Sequence, residues 1–236
     1  MSYRLLSFNN PKILKGKDVY SEYLSAILHM SPINTKICPY QDIAGCKEAC
    51  LNTAGRGGII KKGETTNTIQ LARERKTKLF LEARDIFMDD LIADIQKFVR
   101  YCEKKDKLPC LRLNGTSDIH WEHIKIDGKN IFEIFPDVQF YDYTKIPTRK
   151  VEQYKNYHLT WSYSEANSKY AQYFDAIKYN IAVVFHGEMP IYYKGREVID
   201  GDKSDIRFKD KPNVVVGLKA KGKARHDKSG FVIHTA

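Results

Sequence analysis

The sequence predicts an α/β protein, with a mainly parallel sheet bent into a partial or distorted βα barrel. Apolar residues recur with a period of two in short segments and with a period of three or four in longer ones, and the two kinds alternate. Residues 181–185, IAVVF, have no polar face, as expected of a strand buried on both sides. The alternation predicts right-handed βαβ units with helices outside the sheet.

We expect one domain over 1–236, because no segment rich in proline, glycine or serine divides the chain. It would contain an N-terminal segment at 1–30, a cysteine- and glycine-rich loop at 31–63, and βα units over 64–236. The 42% of hydrophobic residues, with 12% aromatics, are ample for a packed core.

The first third of the chain is predicted to contain two helices and one strand. Residues 18–29 have helical spacing of apolar side chains, and a strand around 33–37 leads into the cysteine loop. A second helix over 67–82 begins with Asn67 or Thr68 as its N-cap.

A long helix over 84–105 has the firmest periodicity, and a strand ending at the polar segment 114–118 follows it. Cys102 completes the apolar face of this helix and is expected to be a core residue. The other apolar positions of that face are Phe87, Leu91, Ile95 and Phe98.

The second half of the chain alternates between strands and shorter connections. Residues 121–135 fit either a short helix or a hairpin around Asp127 and Gly128. Residues 145–156 form a connection or short helix, and residues 171–179 fit a helix. Four further strands are predicted, at 137–145, 157–165, 180–188 and 214–220.

Polar segments at the predicted strand ends are expected to surround one functional face. Parallel strands bring their carboxyl ends to the same edge of a sheet or barrel, where function collects. These ends are 114–118, 141–145, 162–165 and 186–188, and the cysteine loop would follow the first strand.

Charge and cysteine content narrow the class of protein. A net charge of +10 favours polyanionic partners, of which nucleic acid is the commonest, although many basic proteins have none. No apolar run approaches the ~18 residues of a membrane span, and the N-terminus lacks a signal peptide. Thiols stay reduced in the expected cytoplasmic setting, so five cysteines indicate metal or redox chemistry rather than disulfides.

Cys38, Cys46 and Cys50 form the pattern C-x7-C-x3-C. Thiolates suit both iron–sulfur clusters and zinc. A structural zinc site normally has four protein ligands, often in CxxC pairs, and the chain contains no CxxC. We therefore predict a [4Fe-4S] cluster with one open iron, with zinc as the alternative. Three ordinary buried thiols would be the plainest interpretation, but the loop between them is polar and has no period that would bury them together.

The open iron would take a small molecule or a distant side chain. Cys110, His120 and an aspartate are the candidate protein ligands.

Polar residues of the loop and of the strand ends are candidates for binding a cofactor or substrate. Asp118 would pair with a substrate or cap the next segment, and His120 would act as an acid or base near neutral pH. The glycine-rich loop around Arg56 would hold an anion, hold the sulfurs of a cluster, or form a tight turn. The candidates are Arg56, Asn114, Ser117, Asp118, His120, Asp142, Lys145, Ser162 and Glu165.

Two basic segments would follow a nucleic-acid backbone or form ordinary solvated faces. One is residues 219–228. The other lies on a predicted helix and comprises Arg73, Arg75, Lys76 and Lys78. The acidic run at 200–205 would be turn chemistry or a set of Mg²⁺ ligands, and turn chemistry is favoured.

Several long blocks of the sequence carry a family likeness. They are CPYQDIAGCKEACLNTAGRG, ARERKTKLF, RLNGTSDIHWE, FPDVQFYDYTK, NYHLTWSYSE, VIDGDKSDIRF and VVGLKAKG. Together, over about residues 31–232, they resemble the phage gene-product-88-like family. The resemblance implies a protein encoded by a phage or prophage that acts in the host cytoplasm, and it implies no particular activity.

A three-cysteine loop after the first strand, followed by βα units, also resembles the partial barrel of radical S-adenosylmethionine enzymes. Those enzymes usually carry C-x3-C-x2-C and a Gly-Gly-Glu segment after the second strand, where this chain has NGTSD at 114–118. This likeness implies S-adenosylmethionine as a ligand of the open iron.

Two classes of function follow from the sequence. In the first, the protein is an iron–sulfur enzyme whose open iron binds a substrate or S-adenosylmethionine. In the alternative, the metal site is structural or redox-sensing, and the protein binds nucleic acid or a host protein.

Overall fold

The computed structural model describes residues 4–8, 20–32, 35–166 and 168–235. Ten strands lie within these ranges and join into one sheet. They are β1 (Leu6–Ser7), β2 (Tyr23–Leu28), β3 (Leu108–Arg112), β4 (Gln139–Thr144), β5 (Tyr157–Ser162), β6 (Asn180–His186), β7 (Tyr192–Tyr193), β8 (Arg196–Asp200), β9 (Val215–Lys219) and β10 (Val232–His234).

The described helices differ greatly in length. They are α1 (Thr68–Glu82), α2 (Arg84–Glu103), α3 (Ile131–Ile134) and α4 (Ser168–Ala171), with short 3₁₀ helices at Leu51–Thr53, Gly55–Gly58, Trp121–His123, Arg207–Lys209 and Gly222–His226. None of these helices has both the length and the apolar character needed to cross a bilayer.

The sheet is open and mostly parallel, with the strand order β1-β2-β3-β4-β5-β6-β9-β8-β7. The two outer strands, β1 and β7, pair antiparallel with their neighbours, and the pairs between them are parallel. The first half of β6 pairs with β5, and its second half pairs with β10. The α/β class and parallel sheet are confirmed, but a barrel is not formed, because the sheet does not close.

One face of the sheet packs against α1 and α2. The apolar side chains of α2, including Cys102, lie in a core cluster with Leu111 of β3 and with Leu113, which directly follows the strand. Phe80, Phe87 and Trp121 make ring contacts with centroids 5.2–6.4 Å apart at the centre of this layer. Cys102 is therefore a core residue, as predicted.

The opposite face of β3 and β4 is covered by residues 204–210. Strand alternation turns Cys110 and Arg112 to this side, away from Leu111 and Leu113. Arg112 Nη1 lies 3.2 Å from Asp205 Oδ2, and both residues are buried. Residues 204–210 therefore fill this face of β3 and β4, here called the inner face, up to the carboxyl ends of the two strands.

The two long helices are confirmed, while the expectation of a helix over 18–29 is wrong for residues 20–29; residues 18 and 19 lie outside the described ranges. Asn67 is the N-cap of α1, and α2 ends within two residues of the predicted position. Residues 23–28 form β2 instead of a helix. A run of six residues, five of them apolar, is too short for its period to separate a strand from a helix.

The predicted strand around 33–37 is not found. Residues 35–37 form a turn, and residues 33 and 34 lie outside the described ranges. The cysteine loop therefore follows β2. The four later strand predictions are confirmed, each within three residues at either end.

Regular βα units over 64–236 are also not found. The predicted helix at 171–179 is a single turn, α4, followed by turns that bury Phe174 and Ile177. Residues 121–135 contain both predicted features in reduced form, since α3 follows a bridge between Ile126 and Lys129. The twelve residues between β4 and β5 are irregular, yet they are long enough for a parallel crossover.

We predict that Asn67→Ala lowers the free energy of unfolding by about 1–2 kcal/mol, measured by urea denaturation. The Asn67 Oδ1 accepts hydrogen bonds from the backbone N–H groups of Ile69 and Gln70 at 3.0 and 2.9 Å. Its Nδ2 also donates to the carbonyls of Gly57 and Ile59. Asn67→Ser is the control, since it keeps the capping oxygen and loses only the amide. Equal stability of the alanine variant and the parent protein would contradict the prediction.

Candidate metal and ligand site

The three clustered cysteines line one cavity of about 160 Å³ at the carboxyl ends of β3, β4, β5 and β9. The cavity therefore lies at the edge of the sheet where the sequence predicts function. Eight predicted residues line it: Cys38, Cys46, Cys50, Asn114, Ser117, Asp118, Lys145 and Ser162. The other five described candidates lie elsewhere: Arg56, Cys110, His120, Asp142 and Glu165.

The first half of the cysteine loop is anchored by residues that come much later in the chain. Ser164 Oγ donates to the Ala44 carbonyl at 2.7 Å, and Ser229 Oγ donates to the Gly45 carbonyl at 2.8 Å. Gly45 has φ +64°, and a Cβ at this position would lie 2.6 Å from Ala166 Cβ. Only glycine fits this contact, which lies next to Cys46.

The second half of the loop is anchored by the start of α1. Arg73 Nη1 donates to the carbonyl and to the side-chain oxygen of Asn52, at 3.1 and 2.7 Å. Gln70 Nε2 donates to the Gly57 carbonyl at 2.8 Å. Cys50 Sγ accepts from the Asn52 N–H at 3.4 Å and caps the 3₁₀ helix after it. These bonds position Cys50 at the cavity wall.

The basic residues of α1 do not form one solvated face. Arg73 points to the cysteine loop, and Lys76 Nζ donates to the Leu5 carbonyl at 2.6 Å. Arg75 and Lys78 are exposed. Arg56, which the sequence placed at the site, is also exposed. The cation that supports the loop is therefore Arg73, and a charge pattern alone did not distinguish it from its neighbours.

The environment of the three thiols opposes their ionisation. Burial raises the pKa of Cys38, and the negative charges of Asp118 and of the neighbouring sulfurs add to the effect. Burial also raises the pKa of Cys46 and Cys50, while the positive charge of Lys145 lowers the pKa of all three. Further positive charge, such as a bound metal centre would supply, would favour the three thiolates here.

Lys145 is the cation that faces the thiols, and its position is fixed at both ends. Its backbone N–H donates to Asp118 Oδ2 at 2.6 Å. Its Nζ donates to Ser162 Oγ at 2.8 Å and lies 4.4 Å from the centroid of the Phe231 ring. Lys145 and Ser162 thus lie together on the cavity wall, as their strand-end positions predicted.

Asp118 joins two strand ends and has little capacity left for a substrate. It accepts hydrogen bonds from Thr144 Oγ1 at 2.8 Å and Arg149 Nη1 at 3.3 Å, besides the bond from Lys145. Its backbone N–H donates to the Ile37 carbonyl at 2.8 Å, next to Cys38. Asp118 therefore couples the cysteine loop to the end of β4.

Asn114 organises the turn that follows β3. Its Oδ1 accepts from Ser117 Oγ at 2.9 Å, from the Ile119 N–H at 2.9 Å and from Trp121 Nε1 at 3.1 Å. Asn114 and Ser117 thus line the cavity, while the hydrogen bonds of their side chains shape the turn.

Asp142 lies behind this turn, in the layer of the sheet that faces the helices. It accepts from the Asn114 N–H at 2.6 Å and from Tyr157 Oη at 3.1 Å. Burial raises the pKa of Asp142 to about 7, although the hydrogen bond from Asn114 and the charge of Arg149 oppose the shift. Strand alternation explains its position, since Tyr141 and Tyr143 point to the inner face.

His120 belongs to a separate cluster with Glu122 and His123. Among the described residues, this is the one set of three metal-ligand types whose ligand atoms all lie within 4.8 Å. Glu122 accepts from Arg149 Nε and Nη2 at 2.8 and 2.7 Å. Burial raises the pKa of Glu122, but hydrogen bonds from His120 and Arg149 outweigh it and lower the pKa to about 2. Both oxygens of the Glu122 carboxylate, which a metal would need as a ligand, thus already accept hydrogen bonds from Arg149.

The spacing of the cysteine sulfurs bears on the choice of metal. Since Cys38, Cys46 and Cys50 are described but form no set within 4.8 Å, their sulfurs are spread more widely than in a single-metal site. Zn–S bonds of about 2.3 Å in a tetrahedron would bring the sulfurs to within about 4 Å of one another. At least one pair of the three sulfurs therefore lies farther apart than a single zinc would hold it.

Cys110 and Glu165 are engaged elsewhere. Cys110 is fully buried, its Sγ donates to the Leu24 carbonyl at 3.4 Å, and it packs with Tyr141 on the inner face. Glu165 accepts from Tyr193 Oη and lies 3.4 Å from Lys194 Nζ.

The three aspartates of the acidic run diverge. Asp200 Oδ1 accepts from the Asp202 N–H at 2.9 Å, which is turn chemistry, as predicted. Asp202 pairs with Lys221 at the rim of the cavity, and Asp205 pairs with Arg112. They therefore do not form one carboxylate site.

Comparison with known proteins identifies a family. A family model described as Gene product 88 matches residues 4–235. No curated protein and no solved structure matches the chain.

We predict that Asp142→Asn changes how stability depends on pH. A carboxyl with a raised pKa in the folded protein favours folding when protonated. The wild type should therefore lose unfolding free energy, relative to the variant, as the pH rises from about 4 to about 7. The loss is about 1.4 kcal/mol for each unit by which the pKa is raised. Urea denaturation of both proteins across this range measures it, and a difference independent of pH would contradict it.

Proposed function

The chain belongs to the gene product 88 family of phage proteins, and we propose that it binds a [4Fe-4S] cluster through Cys38, Cys46 and Cys50. The observation that carries this proposal is the convergence of these three thiols on one cavity at the carboxyl ends of the parallel strands. Thiolate sulfur is the ligand that such clusters require.

The surroundings of the cysteines support a cluster in two ways. Burial makes the free thiolates unfavourable and outweighs the opposing charge of Lys145, so metal ligation would offset the remaining cost. Lys145 and Arg73 add positive charge on the two sides of the loop, which stabilises an anionic cluster.

We further propose that the fourth iron is open and faces the cavity. Cys110, the remaining candidate thiol, packs on the inner face and bonds to Leu24. The cavity beside the three cysteines is lined by Lys145, Ser162 and the turn after β3, which are suited to orienting a small polar ligand. A cluster with an open iron supplies Lewis acidity and electron transfer, and S-adenosylmethionine is the candidate ligand that the sequence suggests.

The proposed compartment is the host cytoplasm. Cluster ligands must stay reduced, and all five cysteines are free thiols in the structure.

We predict that Cys46→Ser abolishes cluster binding. Anaerobically purified wild type should contain about four irons and four acid-labile sulfides per chain, with a broad absorbance band near ~400 nm, since this is the content of a cubane. The serine variant should lose the band and most of the iron.

Cys110→Ser is the matched control. It keeps a hydrogen-bond donor at a buried cysteine outside the cavity, so we expect full iron and sulfide content. Full content in Cys46→Ser would refute the ligand assignment. One zinc and no iron in the wild type would replace the cluster with a structural metal, and no metal at all would remove the proposal.

We predict that a small ligand reaches the open iron. S-adenosylmethionine added to the reduced wild type should change the EPR spectrum of the cluster, because a new ligand alters the electronic structure of the iron that it binds. The same addition to reduced Cys110→Ser should give the same change. An unchanged spectrum in both proteins would exclude S-adenosylmethionine as the ligand, and a spectrum altered by Cys110→Ser alone would indicate a fourth protein ligand.

A further inference from the structure

Most of the net charge lies in two segments of the chain. Residues 36–62 contain five lysines and arginines and two acidic residues, and residues 219–228 contain five and one. These 37 residues therefore carry seven of the ten net positive charges. A random spread over the chain would give them about two.

The two segments meet at the mouth of the cavity. The 3₁₀ helix Gly222–His226 packs beside the 3₁₀ helix Leu51–Thr53, which begins directly after Cys50. Gly222 has φ +57°, and a Cβ there would lie 3.3 Å from Ala54 Cα, so the two backbones approach closely. Lys219 and Lys221 line the cavity from one side and Leu51 lines it from the other.

The basic residues of 36–62 and 219–228 are together called the rim. Many of these cations have no ion pair in the part of the chain that the structure describes. Lys47 pairs with Asp42, and Lys221 pairs with Asp202. Other basic side chains of the two segments are exposed, and within the described residues they take part in no ion pair of 4.0 Å or less. They are Arg56, Lys61, Lys62, Lys223, Arg225 and Lys228.

We propose that this rim binds single-stranded nucleic acid and delivers a nucleotide to the thiol-lined cavity. Several exposed cations without ion pairs, spread over two adjoining segments, suit a chain of phosphates better than they suit one small anion. The cavity walls include Tyr143, Phe231 and Leu218, which offer apolar and aromatic surface to a base. A base paired within a duplex would not reach them, so the partner is a single strand.

The role of the cavity in this inference rests on the proposed function, but binding at the rim does not. The rim contacts phosphates through lysines and arginines, whether or not the cysteines hold a cluster.

The test is fluorescence anisotropy with a labelled dT20 oligonucleotide at several salt concentrations. Binding should weaken steeply between roughly 50 and 200 mM salt, because each neutralised phosphate releases counterions. The double variant Lys223→Gln/Arg225→Gln should weaken binding about tenfold. It should also lower the slope of log K against log salt by about 1.4, or about 0.7 for each lost contact with a single strand.

Lys104→Gln/Lys105→Gln is the matched control. Both lysines are exposed and follow α2 just before β3 begins, at the opposite end of the strands from the cavity. The charge change is the same, so a loss as large as that of the rim variant would overturn a localised site.

Three other outcomes would overturn the inference. They are the absence of dT20 binding at the lowest salt, tighter binding of a duplex of equal length, and displacement of dT20 by polyglutamate of equal charge, which would indicate an acidic protein. Iron content of the same preparation separates the two proposals. If iron-free protein binds dT20, only the cluster proposal is refuted. If iron-containing protein does not bind dT20, only the proposal of nucleic-acid binding at the rim is refuted.

Discussion

The site depends on satisfying the backbone carbonyls of a long irregular loop. Between β2 and α1 the described chain has only two short 3₁₀ helices, so most of its polar backbone groups need partners from elsewhere. Ser164 and Ser229 bind the carbonyls before Cys46, and Arg73 binds the carbonyl of Asn52, after Cys50. The sulfurs converge because elements distant in sequence supply these donors. The loop has no separate core that would place them.

Residues 204–210 fill the inner face of β3 and β4 and leave the carboxyl end of the sheet accessible. Residues 204–210 cover β3 and β4 from the inside, and the buried pair of Arg112 and Asp205 fixes them there. A ligand can therefore approach the carboxyl edge, where the cavity opens between the cysteine loop and Lys219. Such a site does not need a closed barrel, because residues 204–210 cover the face of β3 and β4 that the interior of a barrel would otherwise enclose.

Long elements with a regular apolar pattern could be predicted from the sequence. Side-chain positions that depend on tertiary contacts could not. The two long helices follow from repeated apolar spacing and the buried strand β6 follows from an uninterrupted apolar run, whereas β2 is too short to show its period. The cysteines, Lys145 and Ser162 were found from strand ends and ligand chemistry. Asp142 and Arg73 were misjudged, because a strand-end position does not give the face of a side chain, and a basic helix does not show which cation turns inward.

The contact between Gly45 and Ser229 has a consequence for the order of assembly. The two residues are 184 positions apart, so a ribosome adding about 5–20 residues per second needs roughly 10–40 seconds to make the second after the first. During that time the cysteine loop is on the nascent chain without its anchor, and its thiols are open to solvent. Under the proposed function, a cluster bound before the late segment arrives would be enclosed as the loop closes, while a cluster bound afterwards would have to enter through the mouth of the cavity.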